Sequence, residues 1–319
     1  MKSLRIFDLI FFFLLLGLGA SAQQEPQFSQ NMFNHMTVNP GYAGLSNAIC
    51  ATGLMRQQWI GFTDAEGNRI SPETFLMSVD ATIPVLRGGI GGTVMQDKIG
   101  FFTTNIVKLG YSYHKKFPEA TLGIGLQVGF NNTILDANKF LPVDSSDPLL
   151  DRLKGSELNN MMLDMSLGLF YQVPGRYYAG LSSSRILQNS KEIGEGTGAN
   201  INFRRHYYLS AGYHFPLSGN SNFEVIPSLF IKSDGSTFQY DLNSLVVVNQ
   251  KYWGGMSFRL QDAIVLMFGL SFNELRVGYS YDIPVSAVGA SGSHEIMINY
   301  CFKIEVEKIR KSYRNTRFL

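Results

Sequence analysis

Charge is scarce in this sequence. Only 16% of its 319 residues are Asp, Glu, Lys or Arg, against roughly a quarter in ordinary soluble domains. The net charge of +2 is too small to argue for a nucleic-acid partner. There are two cysteines, Cys50 and Cys301, which excludes a disulfide-dense scaffold. Past residue 22 no apolar run approaches the ~20 residues that a transmembrane helix needs. The same stretch shows no helix-period pattern of useful length. What remains is apolar surface divided among many short pieces.

The first 22 residues read as an export leader. Lys2 and Arg5 supply a basic start, Leu9 to Leu18 an uncharged apolar run, and Ala20-Ser21-Ala22 an A-x-A cleavage site. Cleavage after Ala22 gives a mature chain beginning at Gln23. No cysteine follows the site, so a lipoprotein is excluded.

The mature part is built on period-2 alternation. In "ATLGIGLQVGFN", Leu122, Ile124, Leu126, Val128 and Phe130 alternate with Thr121, Gly123, Gly125, Gln127 and Gly129. "LRVGYSYDI" and "HEIMINYCF" repeat the pattern. A half-buried strand of a soluble sandwich also alternates. Segment length, near the ~9–11 residues of a tilted transmembrane strand, favours a membrane barrel. So do the aromatic residues at strand ends and the glycines on the polar face.

Fourteen such segments occur, at about 48–60, 72–83, 88–97, 102–116, 119–131, 161–172, 176–184, 203–215, 222–232, 236–248, 250–260, 263–272, 274–282 and 293–302. The expected fold is therefore all-β: a transmembrane antiparallel barrel of about 14 strands with both termini periplasmic. Alternating sides puts the two longest connections, 132–160 and 185–202, outside. The short ones, rich in Pro, Gly and Asn, fall inside, as in outer-membrane barrels. The expected organisation is a signal peptide over 1–22, a periplasmic N-terminal segment over 23–47, the barrel over 48–302 and a basic periplasmic tail over 303–319.

No catalytic, cofactor or metal motif is found, and the chain does not read as an enzyme. The five histidines are scattered, and "RGGIGG" does not precede a helix. Asp136, Asp144, Asp147, Asp151 and Glu157 lack an ordered calcium-loop spacing and read as a solvated loop. Arg56, Asp80, Glu224, Arg276, Asp282 and Glu295 all fall on the lumen side, where charges must be paired or hydrated. Strands 13, 14 and 1 meet at the closure, so Arg56, Arg276, Asp282 and Glu295 form a candidate lumen network. Cys50 and Cys301 lie near the ends of the two closing strands. The compartment permits a staple between them. Opposed strand residues do not always bring Cβ atoms within ~4.5 Å, and two separate small lumen residues are the favoured expectation. The tail carries Arg310, Lys311, Tyr313, Arg314, Arg317 and Phe318 as candidate partner-docking residues.

Several stretches resemble one family. The opening "QEPQFSQNMFNHMTVNPGYAG", "RQQWIGF" at 56–62, "KYWGGMSFRLQDAIVLMFGLSFNELRVGYSYDI" at 251–283, "GSHEIMINY" at 292–300 and the ending "RNTRFL" are similar to the PorP/SprF outer-membrane proteins of the Bacteroidetes type IX secretion and gliding system. The resemblance implies a non-enzymatic role in protein secretion, or in retaining a secreted adhesin at the cell surface. It also implies contact with periplasmic components of the machinery, besides outer-membrane lipid, and no cofactor. The alternative reading is a porin-like channel for small solutes. An outer-membrane lipase or acyltransferase is disfavoured, because no Ser/His arrangement falls on one outward face.

Overall fold

The computed structural model describes residues 25–63, 67, 70–136, 158–192, 200–217, 222–285 and 291–302. Fourteen antiparallel strands close on themselves. They are β1 (Ile49–Gln57), β2 (Glu73–Ile83), β3 (Gly88–Ile99), β4 (Phe102–Lys116), β5 (Thr121–Leu135), β6 (Leu158–Val173) and β7 (Tyr177–Ser184). There follow β8 (His206–Tyr213), β9 (Phe223–Ser233), β10 (Phe238–Val248), β11 (Tyr252–Arg259), β12 (Ala263–Phe272), β13 (Leu275–Pro284) and β14 (Ser293–Phe302). Each strand pairs with its chain neighbour, and β1 pairs with β14 from Ile49↔Phe302 to Gln57↔His294. Phe215–Pro216 continues β8 past His214 in unbroken register: Gly212 faces Ser228, and Phe215 faces Val225.

The alternation sorts each strand into two faces. On β5, Ile124, Leu126, Val128 and Phe130 point out and are exposed, while Gly123, Gly125, Gln127 and Gly129 point in and are buried. The outer face carries Leu109 at 71% exposure, Phe268 at 62% and Phe272 at 70%. Apolar surface of this extent around a whole ring is stable only against lipid.

Because the strand count is even, Ile49 and Phe302 lie at the same mouth, here named proximal. Its turns are tight: Asn249 and Asn273 take left-handed backbone (φ 53° for each), a conformation asparagine tolerates better than most residues. The long connections leave the distal mouth. One of them includes a small ribbon, Ser190–Glu192 against Asn200–Asn202. The leader, most of the acidic loop (137–157) and the tail 303–319 lie outside the described residues.

Two expectations are corrected. Residues 25–48 are not a segment outside the barrel, for they occupy its lumen. Three short helical turns, Asn31–Phe33, His35–Val38 and Pro40–Tyr42, carry the chain across it. The proof is topological. This segment bonds to Asp80 on β2, Ser112 on β4, Leu169 on β6 and Ser182 on β7. It also bonds to Lys232 on β9, Asp241 on β10, Asp282 on β13 and Glu295 on β14. A segment touching opposite walls of a closed ring is inside it. Glu25 sits among distal strand ends, beside Ser184 and Tyr208, whereas Gly44 lies beside Asp80 near the proximal end of β2. The described residues therefore begin near the distal mouth and end at the proximal one. The reason is that a 14-strand ring encloses more space than its own side chains fill, and 24 residues of chain fill it instead.

The second correction concerns the cysteines. Cys50 and Cys301 face each other in the β1–β14 register and are joined as a disulfide on the lumen side of the seam. Beside this polar seam the lumen has an apolar core. Phe28 of the plug packs with Leu54, Leu76, Trp253, Val265 and Met297.

The plugged lumen as candidate functional site

The plug is held in two different ways. Toward the distal mouth its residues meet ionised side chains. Arg56 lies 2.7 Å from Asp282 and 3.3 Å from Glu295. Arg259 lies 3.2 Å from Asp282, 3.3 Å from Asp241 and 3.3 Å from Asp262. All of these except Asp262 are buried. The plug completes the cluster. The backbone N–H groups of Ser29 and Gln30 donate to the two Glu295 oxygens at 2.7 and 2.8 Å. The Ser29 hydroxyl donates to Asp282 and accepts from Arg56, both at 2.7 Å. Gln27 donates to Asp241 at 2.9 Å. Buried charge is tolerated only when its remaining hydrogen-bonding positions are filled, and here the plug backbone fills them.

A second ionic site holds the plug's first described residue. Glu25 pairs with Arg185 at 2.8 Å, accepts from the Tyr208 hydroxyl, and offers its carbonyl to Lys232 at 2.5 Å. Burial alone would raise the Glu25 carboxyl. The charges of Arg185, Lys108 and His206, with the Tyr208 hydroxyl, outweigh it and hold the group well below the ordinary carboxylate range.

Toward the proximal mouth the plug is held by its backbone. Asn39 donates to the Leu169 carbonyl at 2.9 Å and caps the following turn by accepting from Gly41 N–H at 2.9 Å. Ser112 donates to the Gly41 carbonyl at 2.9 Å. His114 contacts the Ala43 carbonyl at 2.9 Å, and Gly44 N–H donates to Asp80 at 2.8 Å. The wall here is glycine. A Cβ on Gly125 would overlap the Pro40–Gly41 peptide. Gly44 has φ +73° and lies against the Gly89 Cα, so it needs both the conformation and the missing side chain. Between the two halves, the half-buried His35 ring is enclosed by Tyr42, Phe170 and Tyr178 at centroid distances of 5.2, 5.1 and 4.8 Å. Burial pushes its pKa down to about 4.

Of the four residues expected to form the lumen network, the structure brings together Arg56, Asp282 and Glu295. Arg276 is elsewhere. It shares β13 with Asp282 but stands six positions away, about 20 Å along the strand, near the proximal mouth. There its guanidinium lies 4.9 Å from the Phe33 ring centroid, and its Nε donates to Ser271 at 3.3 Å. Sharing a face and a seam does not suffice if the heights differ. Asp80 is a plug anchor, and Glu224 pairs with His214 at 2.5 Å near the proximal rim. The candidate tail residues Arg310, Lys311, Tyr313, Arg314, Arg317 and Phe318 lie outside the described residues. Sequence reading missed Arg259, Asp241 and the plug contacts from Ser29 and Gln30. The phase of "GGMSFRL" does put Arg259 inside, two strands from Asp282. Among the described residues no group of three His, Cys, Asp or Glu side chains is placed to hold a metal.

No curated protein matches the sequence. Among solved structures, the chain is similar to the Acinetobacter baumannii outer membrane protein Omp33, at 8% identity and TM-score 0.43, over 81% of this chain and 98% of that one. It is similar to the Ralstonia pickettii toluene transporter TbuX, at 11% identity and TM-score 0.48, over 84% and 92%. It is also similar to the KdgM porin, at 10% and 0.36, over 79% and 99%. The family model described as type IX secretion system membrane protein PorP/SprF matches residues 20–300. An outer-membrane barrel whose own N-terminal segment fills its lumen thus has a family: the chain belongs to the PorP/SprF membrane proteins of the type IX secretion system.

Proposed function

We propose that this protein supports type IX secretion, or surface retention of a secreted adhesin, through protein–protein contacts at its two rims, without passing solute through its lumen. The observation that carries this reading is the plug. Residues 25–48 reach walls on every side of the ring, and an apolar core, two ionic sites and a glycine wall all bear on them. A lumen filled in this way leaves the rims and loops as the working surfaces. The periplasmic components of the machinery are the proposed partners, with the basic tail 303–319 as the docking element and a large secreted adhesin as the client.

Two measurements test it. In planar bilayers the intact barrel is expected to show no stable conductance, while a variant lacking residues 25–45 opens a pore. A steady open channel from the intact protein would sink the reading and favour a solute channel. Truncation after Lys303 is expected to leave an inserted, denaturation-resistant barrel but to abolish secretion or display. Normal secretion by that variant would remove the tail from the mechanism.

A further inference from the structure

The plug contacts leave one buried polar cluster unused, at the distal ends of β8, β9 and β10. Register builds it. Tyr207 faces Ser233 in the β8–β9 ladder, so His206 falls opposite Asp234, in the turn just past β9. On the next strand Gln239 faces Lys232, two residues short of Asp234. His206, Asp234 and Gln239 line one small cavity, together with Lys232, Ser233 and Thr237.

The free atoms of the three are all acceptors. His206 Nδ1 lies 3.0 Å from the Arg204 carbonyl. A carbonyl only accepts, so Nδ1 carries the proton and Nε2 keeps a lone pair. Asp234 commits one oxygen to its own turn. Its Oδ1 accepts from the N–H groups of Ser236 and Thr237 at 3.0 and 2.8 Å, and from the Thr237 hydroxyl at 3.0 Å. Its Oδ2 makes no hydrogen bond, and the Arg204 guanidinium stands 4.0 Å from it. Gln239 Oε1 is the third acceptor. Among the described residues none of these three buried atoms has a hydrogen-bond partner. His206 is fully buried, and the Asp234 side chain is 2% exposed.

Buried polar atoms are rarely left unpaired, and a set made of acceptors cannot satisfy itself. A water molecule brings two protons to three acceptors, whereas a metal ion engages all three. One imidazole nitrogen with carboxylate and amide oxygens suits zinc and neighbouring divalent ions. A ring N–H bonded to a backbone carbonyl is also the usual outer contact of a metal-bound histidine. Lys232 lines the same cavity, but its ammonium is turned to the Glu25 carbonyl at 2.5 Å. Its charge weakens the site without filling it.

We propose that His206 Nε2, Asp234 Oδ2 and Gln239 Oε1 bind one divalent transition-metal ion, with zinc the best match. A set restricted to His, Cys, Asp and Glu does not include this site, because an amide supplies the third ligand. The ion ties the start of β8 to the β9–β10 turn. Tyr208, two residues along β8, bonds the Glu25 carboxylate, so the ion stiffens the wall that seats the plug's first described residue. The site does not depend on the secretion reading.

The test titrates Zn²⁺ into the full-length barrel in detergent after EDTA treatment, with bound zinc measured by equilibrium dialysis. One equivalent is expected, and X-ray absorption should show one imidazole among oxygen ligands. His206→Phe and Asp234→Asn should each weaken binding about a hundredfold, the upper end of what losing an outer-shell partner costs. His214→Phe removes the histidine–carboxylate pair at the proximal rim and should leave binding unchanged. Failure of the unmodified protein to take up stoichiometric zinc would overturn the proposal. So would zinc binding that survives His206→Phe or is lost with His214→Phe. Should His206→Phe fail to fold, Gln239→Leu decides, since that half-buried position tolerates an apolar side chain. It should weaken binding about tenfold, and unchanged binding would remove the amide, and with it the site.

Discussion

The two halves of the plug are held by opposite kinds of chemistry. Residues 25–31 are held by side chains that must be ionised, and residues 39–45 by backbone that must come close. At the distal end Arg56, Arg259, Asp282 and Glu295 exchange hydrogen bonds with Ser29 and Gln30. At the proximal end the Asn39–Gly44 stretch lies against Gly123, Gly125 and Gly89, and Asp80, which accepts from Gly44 N–H, is the carboxylate bonded to it there. An ionic hold fails as a whole when one partner is removed, since the others are left buried and uncompensated. A steric hold fails when something is added. The comparison predicts that deletion breaks one end and addition the other.

The largest effect is expected from Arg56→Met. It strips Asp282 and Glu295 of a shared cation, and breaking a buried pair typically costs about 3–5 kcal/mol. Arg259 remains on Asp282 but does not reach Glu295, so the loss should fall in this range. Heat-modified mobility of the barrel on gels should show the variant melting well below the parent. A variant as resistant as the parent would mean that the plug's distal half contributes little.

Next come two substitutions one residue apart on β5, at Leu126 and Gly125. Arginine at Leu126 enters lipid near mid-membrane, at about 2–4 kcal/mol. Leucine at Gly125 enters the Pro40–Gly41 peptide, and overpacking of this kind costs about 1–3 kcal/mol. The readouts differ. Leu126→Arg should impair insertion with the plug still seated. Gly125→Leu should insert and conduct, its plug displaced from the proximal wall. If both variants fail at insertion alike, the glycine face has no special relation to the plug.

The sequence displayed the ring more plainly than its contents, for a physical reason. Alternation is a local signal of period 2, and the faces of "ATLGIGLQVGFN" or "HEIMINYCF" follow from it directly. The membrane then dictates that outward positions be apolar. The lumen obeys no such period. "NPGYAG" carries Pro, Asn and Gly, the residues of a surface turn, because a plug crossing by short helical turns needs the same local chemistry. What marks it as interior lies elsewhere, in glycines at 89, 123 and 125 that leave room for it. The network was legible to the extent that phase decides it: Arg56, Asp282 and Glu295 share a face and a seam. Height along the barrel comes from strand register, so Arg276 was grouped wrongly and Arg259 was missed. The Cys50–Cys301 bond depended on the same register. Opposed seam positions alone left it open.

The smallest expected effect lies between the two halves, at His35, and it would show whether they release together. Its half-buried imidazole is enclosed by Tyr42, Phe170 and Tyr178, with its pKa pushed down from an ordinary value near 6.5 to about 4. The sign follows from proton counting. Above pH 6.5 the ring is neutral whether the plug is seated or free, and it contributes no pH dependence. Between 6.5 and 4 the free segment binds a proton that the seated one refuses, so seating weakens as pH falls through this window. The ring is only half-buried, and at pH 5 the penalty is on the order of 1 kcal/mol. Glu25 adds little between pH 7 and pH 5, because its free carboxyl titrates near 4.5 and its seated one lower still, so both are largely ionised over that range. Acidification from pH 7 to pH 5 should therefore raise plug opening by about fivefold, read as brief conductance events in a bilayer. His35→Phe should abolish that dependence while leaving opening at pH 7 unchanged. If the proximal half alone lets go, the events should be partial closures of the pore seen when residues 25–45 are absent. If both halves release as one, the conductance at pH 5 should equal that of the plugless barrel.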